Sequence, residues 1–170
     1  MTVDLMARLR AEAQVCPARV VFPEAGEEVI VRAARRLADE GLCRPVLLSS
    51  RTELASTARA LGFDAHDLEV VDAADEAVRE GLAEDHTRLF PESTAKGIER
   101  RLRSPLNVGA LLVAAGRADA LVAGAANTTE DVILAAMTFI GMQPGLSSPS
   151  SMMLLRIPGY DGPQGPYLAF

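Results

Sequence analysis

The 170-residue chain has no tryptophan and an aromatic content of 4%, so its core must be assembled from Ala, Val, Leu, Ile and Met rather than from stacked rings. Its two cysteines, Cys16 and Cys43, have neither metal-ligand spacing nor a neighbouring histidine. That excludes a disulfide framework, gives no reason to expect a metal, and fits a reducing, cytoplasmic setting. No apolar run approaches the length of a membrane span, and the opening MTVDLMARLRAEA carries both signs of charge without an apolar signal core. Neither membrane insertion nor export is expected. Positive charge is also in deficit: a formal net charge of -6 argues against a nucleic-acid partner, whose backbone calls for clustered cations. One local cluster, Arg100, Arg101 and Arg103 beside Glu99, reads as a solvated helix face or, alternatively, a local anion contact. His66 and His86, each set among charged residues, read as surface groups and receive no role.

What the chain does have is alternation. Residues 3–15 place Leu5, Met6, Leu9 and Ala13 on one helical stripe that Pro17 stops. A strand at 20–22 leads into the turn Pro23, Glu24, Ala25 and Gly26, after which Val29, Ile30, Ala33, Leu37 and Ala38 recur at helical spacing until Gly41. A strand at 45–48 follows, then a helix opened by Ser50 with Glu53 three residues on and closed by Gly62, then a strand at 68–71. Helices are expected over 73–89, ended by Pro91, and over 105–115, opened by a proline and closed by Gly116. The remaining expectations are a strand at 120–122, a helix over 129–140, a strand at 152–157, a proline- and glycine-rich loop at 158–166, and a last strand from 167. Such alternation predicts an α/β fold with a three-layer parallel sheet, and a length that suits one domain with the beginning of another. Ligands of such folds sit beyond the carboxyl ends of the strands, which puts the turns after Phe22, Leu48 and Val122 on one functional edge. A generic nucleotide binder is disfavoured, since no G-x-G-x-x-G follows the first strand and no P-loop lysine motif occurs.

The most informative stretch is 118–136, ADALVAGAANTTEDVILAA. A short apolar run, a glycine turn at Gly124 and a polar helix start at Asn127, Thr128 and Thr129 follow one another directly, which is how α/β proteins build anion sites. The same residues suit plain capping equally well, because Thr128 is followed three positions later by Asp131. Glu24 is open in the same way, either as a ligand-loop residue or as a carboxylate near the start of the next helix.

Taken in order, RVVFPEAGEEVIVRAARRLADEG, the segment around Arg88, ADALVAGAANTTED and GLSSPSSMMLL resemble the N-terminal half of phosphate acetyltransferases and phosphate butyryltransferases, over nearly the whole chain. The resemblance implies two α/β domains of the isocitrate dehydrogenase-like type, with residues 1–145 forming the first and 146–170 the truncated beginning of the second. The sheet would then be incomplete at the C-terminus. It implies interconversion of acyl-CoA and acyl phosphate, with coenzyme A as substrate and no cofactor. The implied partners are acyl-CoA, phosphate or acyl phosphate, and either further copies of the chain in a homo-oligomer or a complementary C-terminal half.

Residue by residue, Pro23 and Glu24 match the family's residues after the first strand, and Gly124 matches its glycine turn. Thr128, Thr129 and Asp131 fit the helix start that follows. On this reading Gly124, Asn127, Thr128, Thr129, Ser150 and Ser151 hold phosphate or CoA, and Arg88 neutralises it. Three departures stand out: Leu134 replaces an arginine, Asn127 a histidine, and Val29 an arginine of the first helix. Leucine cannot donate to an oxyanion, whereas an arginine fork gives two charge-assisted hydrogen bonds. The base for the CoA thiol belongs, in the family, to the second half. Two functions follow: an N-terminal portion of a phosphate acyltransferase, or a non-catalytic acyl-CoA or phosphate binding module of the kind fused to malic enzymes.

Overall fold

The computed structural model describes residues 4–162 and 165–170. Val3, Pro163 and Gln164, which belong to the expected first helix and last loop, lie outside the described residues. Four parallel strands, β1 (Ala18–Phe22), β2 (Cys43–Leu48), β3 (Glu69–Val71) and β4 (Ala120–Leu121), form a sheet in the order β3-β2-β1-β4. Pairing in register joins Val21 to Val46 and to Leu121. Around it pack α2 (Glu28–Asp39), α3 (Arg51–Ala60), α4 (Glu76–Leu89), α5 (Ala95–Leu102), α6 (Pro105–Ala114) and α7 (Thr129–Phe139), while α1 (Leu5–Val15) buries no residue.

The layers follow from strand alternation. Side chains of consecutive strand residues leave opposite faces, so Val21, Val46 and Leu48 join one core and Phe22 and Leu47 the other. The second core is closed by Val31 and Ala34 of α2 and Leu54 and Ala58 of α3. The first is closed by Leu82 of α4, Ile98 and Leu102 of α5, Leu111 of α6 and Phe139 of α7. Helix ends match their local signals: Ser50 and Glu53 form a reciprocal capping box at α3, and Gly116 past α6 takes φ +71°, the left-handed region that favours glycine.

The sheet meets α6 at Gly109. A Cβ there would lie 2.8 Å from Leu121 Cδ1 and 3.2 Å from Val21 Cγ1, so the close approach of helix to sheet depends on the missing side chain. Gly109→Val is expected to lower stability by about 1–3 kcal/mol through overpacking, read as a reduced denaturation midpoint at unchanged slope.

The arginine-rich segment lies on the helix face expected of it: it belongs to α5, capped by Thr94 and anchored by the buried Ile98 and Leu102. One expectation is corrected. The last two strands, β5 (Leu154–Arg156) and β6 (Tyr167–Ala169), do not extend the parallel sheet; they form a separate antiparallel pair, with Leu155 opposite Leu168. The connection between them is too short for the crossover of a dozen or more residues that parallel pairing requires. Tyr167 donates its hydroxyl hydrogen to Asp4 at 2.7 Å, tying this hairpin to the cap of α1.

Candidate functional site

From β1 the chain crosses to β2 and β3 on one side and to β4 on the other, so the switch point lies between the carboxyl ends of β1 and β4. A crevice opens there in doubly wound folds. Its two walls are the turn at Pro23 and Glu24 and the turn from Gly124 to Asn127. The Glu24 side chain lies across it, 6% exposed. Its carboxylate accepts the backbone N–H of Gly124 at 2.9 Å, Ala125 at 2.8 Å, Ala126 at 2.9 Å and Asn127 at 2.7 Å, and the Asn127 Nδ2 at 2.8 Å. Successive amides converging on one anion make a nest, and Gly124 permits it with φ 118°. Burial alone would raise the Glu24 pKa, but the amides of Ala125, Ala126 and Asn127 and the Asn127 side chain outweigh it and bring it down to about 2.

The expectation that Gly124 and Asn127 offer open donors to phosphate is corrected on this point. The donors are there, as the sequence suggested, but the chain's own carboxylate engages them. Glu24 does not cap α2, whose first residue follows Glu27. Thr128 caps α7 in a reciprocal box: its Oγ1 accepts the Asp131 N–H at 3.2 Å, its own N–H donates to the Asp131 carboxylate at 3.3 Å, and its hydroxyl donates to that carboxylate as well at 2.7 Å. Thr129 is exposed at the head of the same helix. With Glu130 and Asp131 in its first turn, that end is acidic, and an incoming oxyanion would need cations from elsewhere.

Arg88 does not supply them here. Its guanidinium donates to Asp85 at 2.9 Å, and the other oxygen of Asp85 accepts from Arg117 at 3.0 Å. Arg117 lies just before β4 and Gly124 just beyond it, so Arg88 is held at the opposite edge of the sheet from the Gly124 turn. Ser150 and Ser151 are exposed, ahead of β5, and no hydrogen bond among the described residues joins them to that turn. Leu134 lies on the open face of α7, 63% exposed. On the same edge as Glu24 a cleft of about 320 Å³ lies between the ends of β2 and β3 and the start of α6, with Ser49, Ser50, Arg103 and Pro105 in its lining. Among the described residues, no group of three or more His, Cys, Asp or Glu side chains is placed to hold a metal ion. No helix among them is long and apolar enough to cross a membrane.

His86 reverses its expected placement. It is fully buried, its ring 5.0 Å from that of Phe90 and 5.9 Å from that of Phe139, whereas His66 is exposed. Its Nε2 lies 3.5 Å from Arg101 Nη1, and its Nδ1 has no partner among the described residues. Burial, reinforced by the Arg101 charge, lowers its pKa from 6.5. The folded state therefore keeps the ring neutral while the unfolded chain takes up a proton below pH 6.5, so stability is full above that value and falls as the pH drops towards the folded pKa. Urea midpoints at pH 7.5 and 5.5 should differ more for the native chain than for His86→Phe.

Comparison with known proteins gives a consistent result. A family model described as phosphate acetyl/butaryl transferase matches residues 4–167. The phosphate acetyltransferase of Treponema pallidum is 33% identical over 153 residues, covering 86% of this chain and 45% of that protein. The phosphate acetyltransferase of Staphylococcus aureus (strain MRSA252) is 28% identical, covering 89% and 47%. A phosphotransacetylase from Streptococcus pyogenes superposes with a TM-score of 0.82 at 31% identity, over 88% of this chain and 46% of that one. The EutD phosphotransacetylase from Staphylococcus aureus gives 0.75 at 27% identity, over 89% and 47%. The chain thus spans about half the length of these relatives.

Proposed function

The chain belongs to the phosphate acetyl/butaryl transferase family, and we propose that it supplies the N-terminal half-site of a phosphate acyltransferase, which interconverts acyl-CoA plus phosphate with acyl phosphate plus CoA. The carrying observation is the junction at the switch point, where Glu24 binds the four amides from Gly124 to Asn127, within a fold matched over most of its length by phosphotransacetylases. In that role Glu24 shapes the wall and does not touch the reacting atoms. Thr129 and, in a complete site, Ser150 and Ser151 offer hydroxyls to phosphate, while Arg88 would serve a more distant part of CoA. The base for the thiol and most of the cationic charge come from a complementary half. Catalysis would then rest on holding acyl phosphate and thiol together and on stabilising the oxyanion that develops at the carbonyl.

A second reading has its own support. Exposed Leu134 in place of the family's arginine, beside the acidic start of α7, favours a non-catalytic module that binds acyl-CoA or phosphate and regulates a partner. One assay separates the two: acetyl-CoA formation from acetyl phosphate and CoA, with the 170-residue chain alone and mixed with the C-terminal half of the Treponema pallidum relative, beside calorimetric binding of CoA. Turnover in either sample supports the acyltransferase reading. CoA binding without turnover supports the module, and absence of both overturns the two together.

A further inference from the structure

A second cleft, of about 600 Å³, runs between α4 and α5 and shares no lining residue with the Gly124 turn. Its volume lies within the range of small-molecule sites, about 300–1,000 Å³. Opposite Ala83 of α4, the side chains of Ile98 and Leu102, each 8% exposed, give the cleft its apolar lining. Arg79 stands on the rim and makes no side-chain hydrogen bond or ion pair among the described residues. Arg103 stands there too, sharing its guanidinium with Glu99 at 2.8 Å. Thr87 also lines the cleft; it stands eight residues beyond Arg79 on the same helix, about 12 Å along the axis.

An apolar trough of that length with guanidinium groups on its rim is complementary to a ligand with a hydrocarbon tail and an anionic head. We propose that the cleft between α4 and α5 binds a straight-chain fatty acid of medium length, its carboxylate at Arg79 and Arg103 and its tail over Ala83, Ile98 and Leu102. An arginine fork can give a carboxylate two parallel hydrogen bonds, and each buried methylene adds to the hydrophobic term. The site stands independently of the acyltransferase reading, since no residue of the crevice takes part in it.

The test is calorimetric titration of the 170-residue chain with butanoate, hexanoate, octanoate and decanoate, and with octanol. Affinity should rise about fourfold per added methylene until the trough is filled, and octanoate should bind about tenfold or more tighter than octanol. Ala83→Leu should block binding; if it unfolds the chain, Arg79→Gln on the exposed rim should weaken octanoate about tenfold with the circular dichroism unchanged. Glu99→Gln should tighten binding by releasing Arg103. Affinity that does not change with tail length, equal binding of octanol, or titrations indifferent to Arg79→Gln would overturn the proposal.

Discussion

Glu24→Ala is expected to lower the stability of the chain by about 3 kcal/mol, more than a surface carboxylate could account for. The native side chain receives five hydrogen bonds from Gly124, Ala125, Ala126 and Asn127, and its removal leaves four converging amides without their acceptor. Urea denaturation at pH 7 measures the loss. The pH dependence gives an independent reading of the same interaction. With the carboxyl held at about 2 in the folded state against 4.5 as its ordinary value, its stabilisation is complete above pH 4.5 and disappears as the pH falls from there towards 2. Other carboxylates, such as Asp67 beside Arg35, titrate in the same direction. The informative quantity is therefore the difference between native and Glu24→Ala curves, which should be large at pH 6 and shrink as the acid limb is entered. The vacated nest should also accept an oxyanion from solution. Inorganic phosphate should raise the melting temperature of Glu24→Ala more than that of the native chain, by the mass-action term for a ligand bound only when folded. Equal stability of the two proteins at pH 6 would show that the amides find other acceptors.

That arrangement marks where the sequence stopped being legible. Signals that act over three or four residues could be read directly: the Ser50 and Glu53 box, the Thr128 and Asp131 box and the glycine after α6 all stand where local pattern places them. So does the parallel sheet, because apolar runs alternating with helical stripes leave few other ways to bury both faces. Glu24 and Gly124 are one hundred residues apart. Nothing local says that β4 pairs with β1, and until it does the amides at 124–127 look open to any anion. Strand order therefore decided whether the turn is a receptor or an internal contact. His86 was misplaced for a related reason: it stands among charged residues in the sequence, and only the packing of Phe139, brought in by α7, completes with Phe90 at the end of α4 the enclosure of its ring.

Leu134→Arg is the substitution expected to change function most. Leu134 is largely open to solvent on α7, so its replacement sacrifices little buried surface, and an arginine is compatible with the helix. A guanidinium there would stand one turn beyond the acidic residues that now dominate this end of α7. Glu130, four residues back, could compete for it, but exposed pairs at that spacing contribute only about 0.2–0.5 kcal/mol. A charge-assisted bond to phosphate contributes about 1.5–3 kcal/mol, so the oxyanion should win. Calorimetry of the 170-residue chain should then show phosphate or CoA affinity rising about ten- to hundredfold over the native protein, with a further gain in Leu134→Arg combined with Glu130→Gln. In a mixture with the complementary half, turnover should rise in parallel if the chain is the N-terminal portion of an acyltransferase. Tighter binding without turnover would mean that the leucine is one of several changes separating this chain from catalysis, as the binding-module reading requires. Unchanged binding in both variants would show that this face of α7 does not meet the anion at all, and would move the search for the phosphate contact to Ser49 and Ser50 at the carboxyl end of β2.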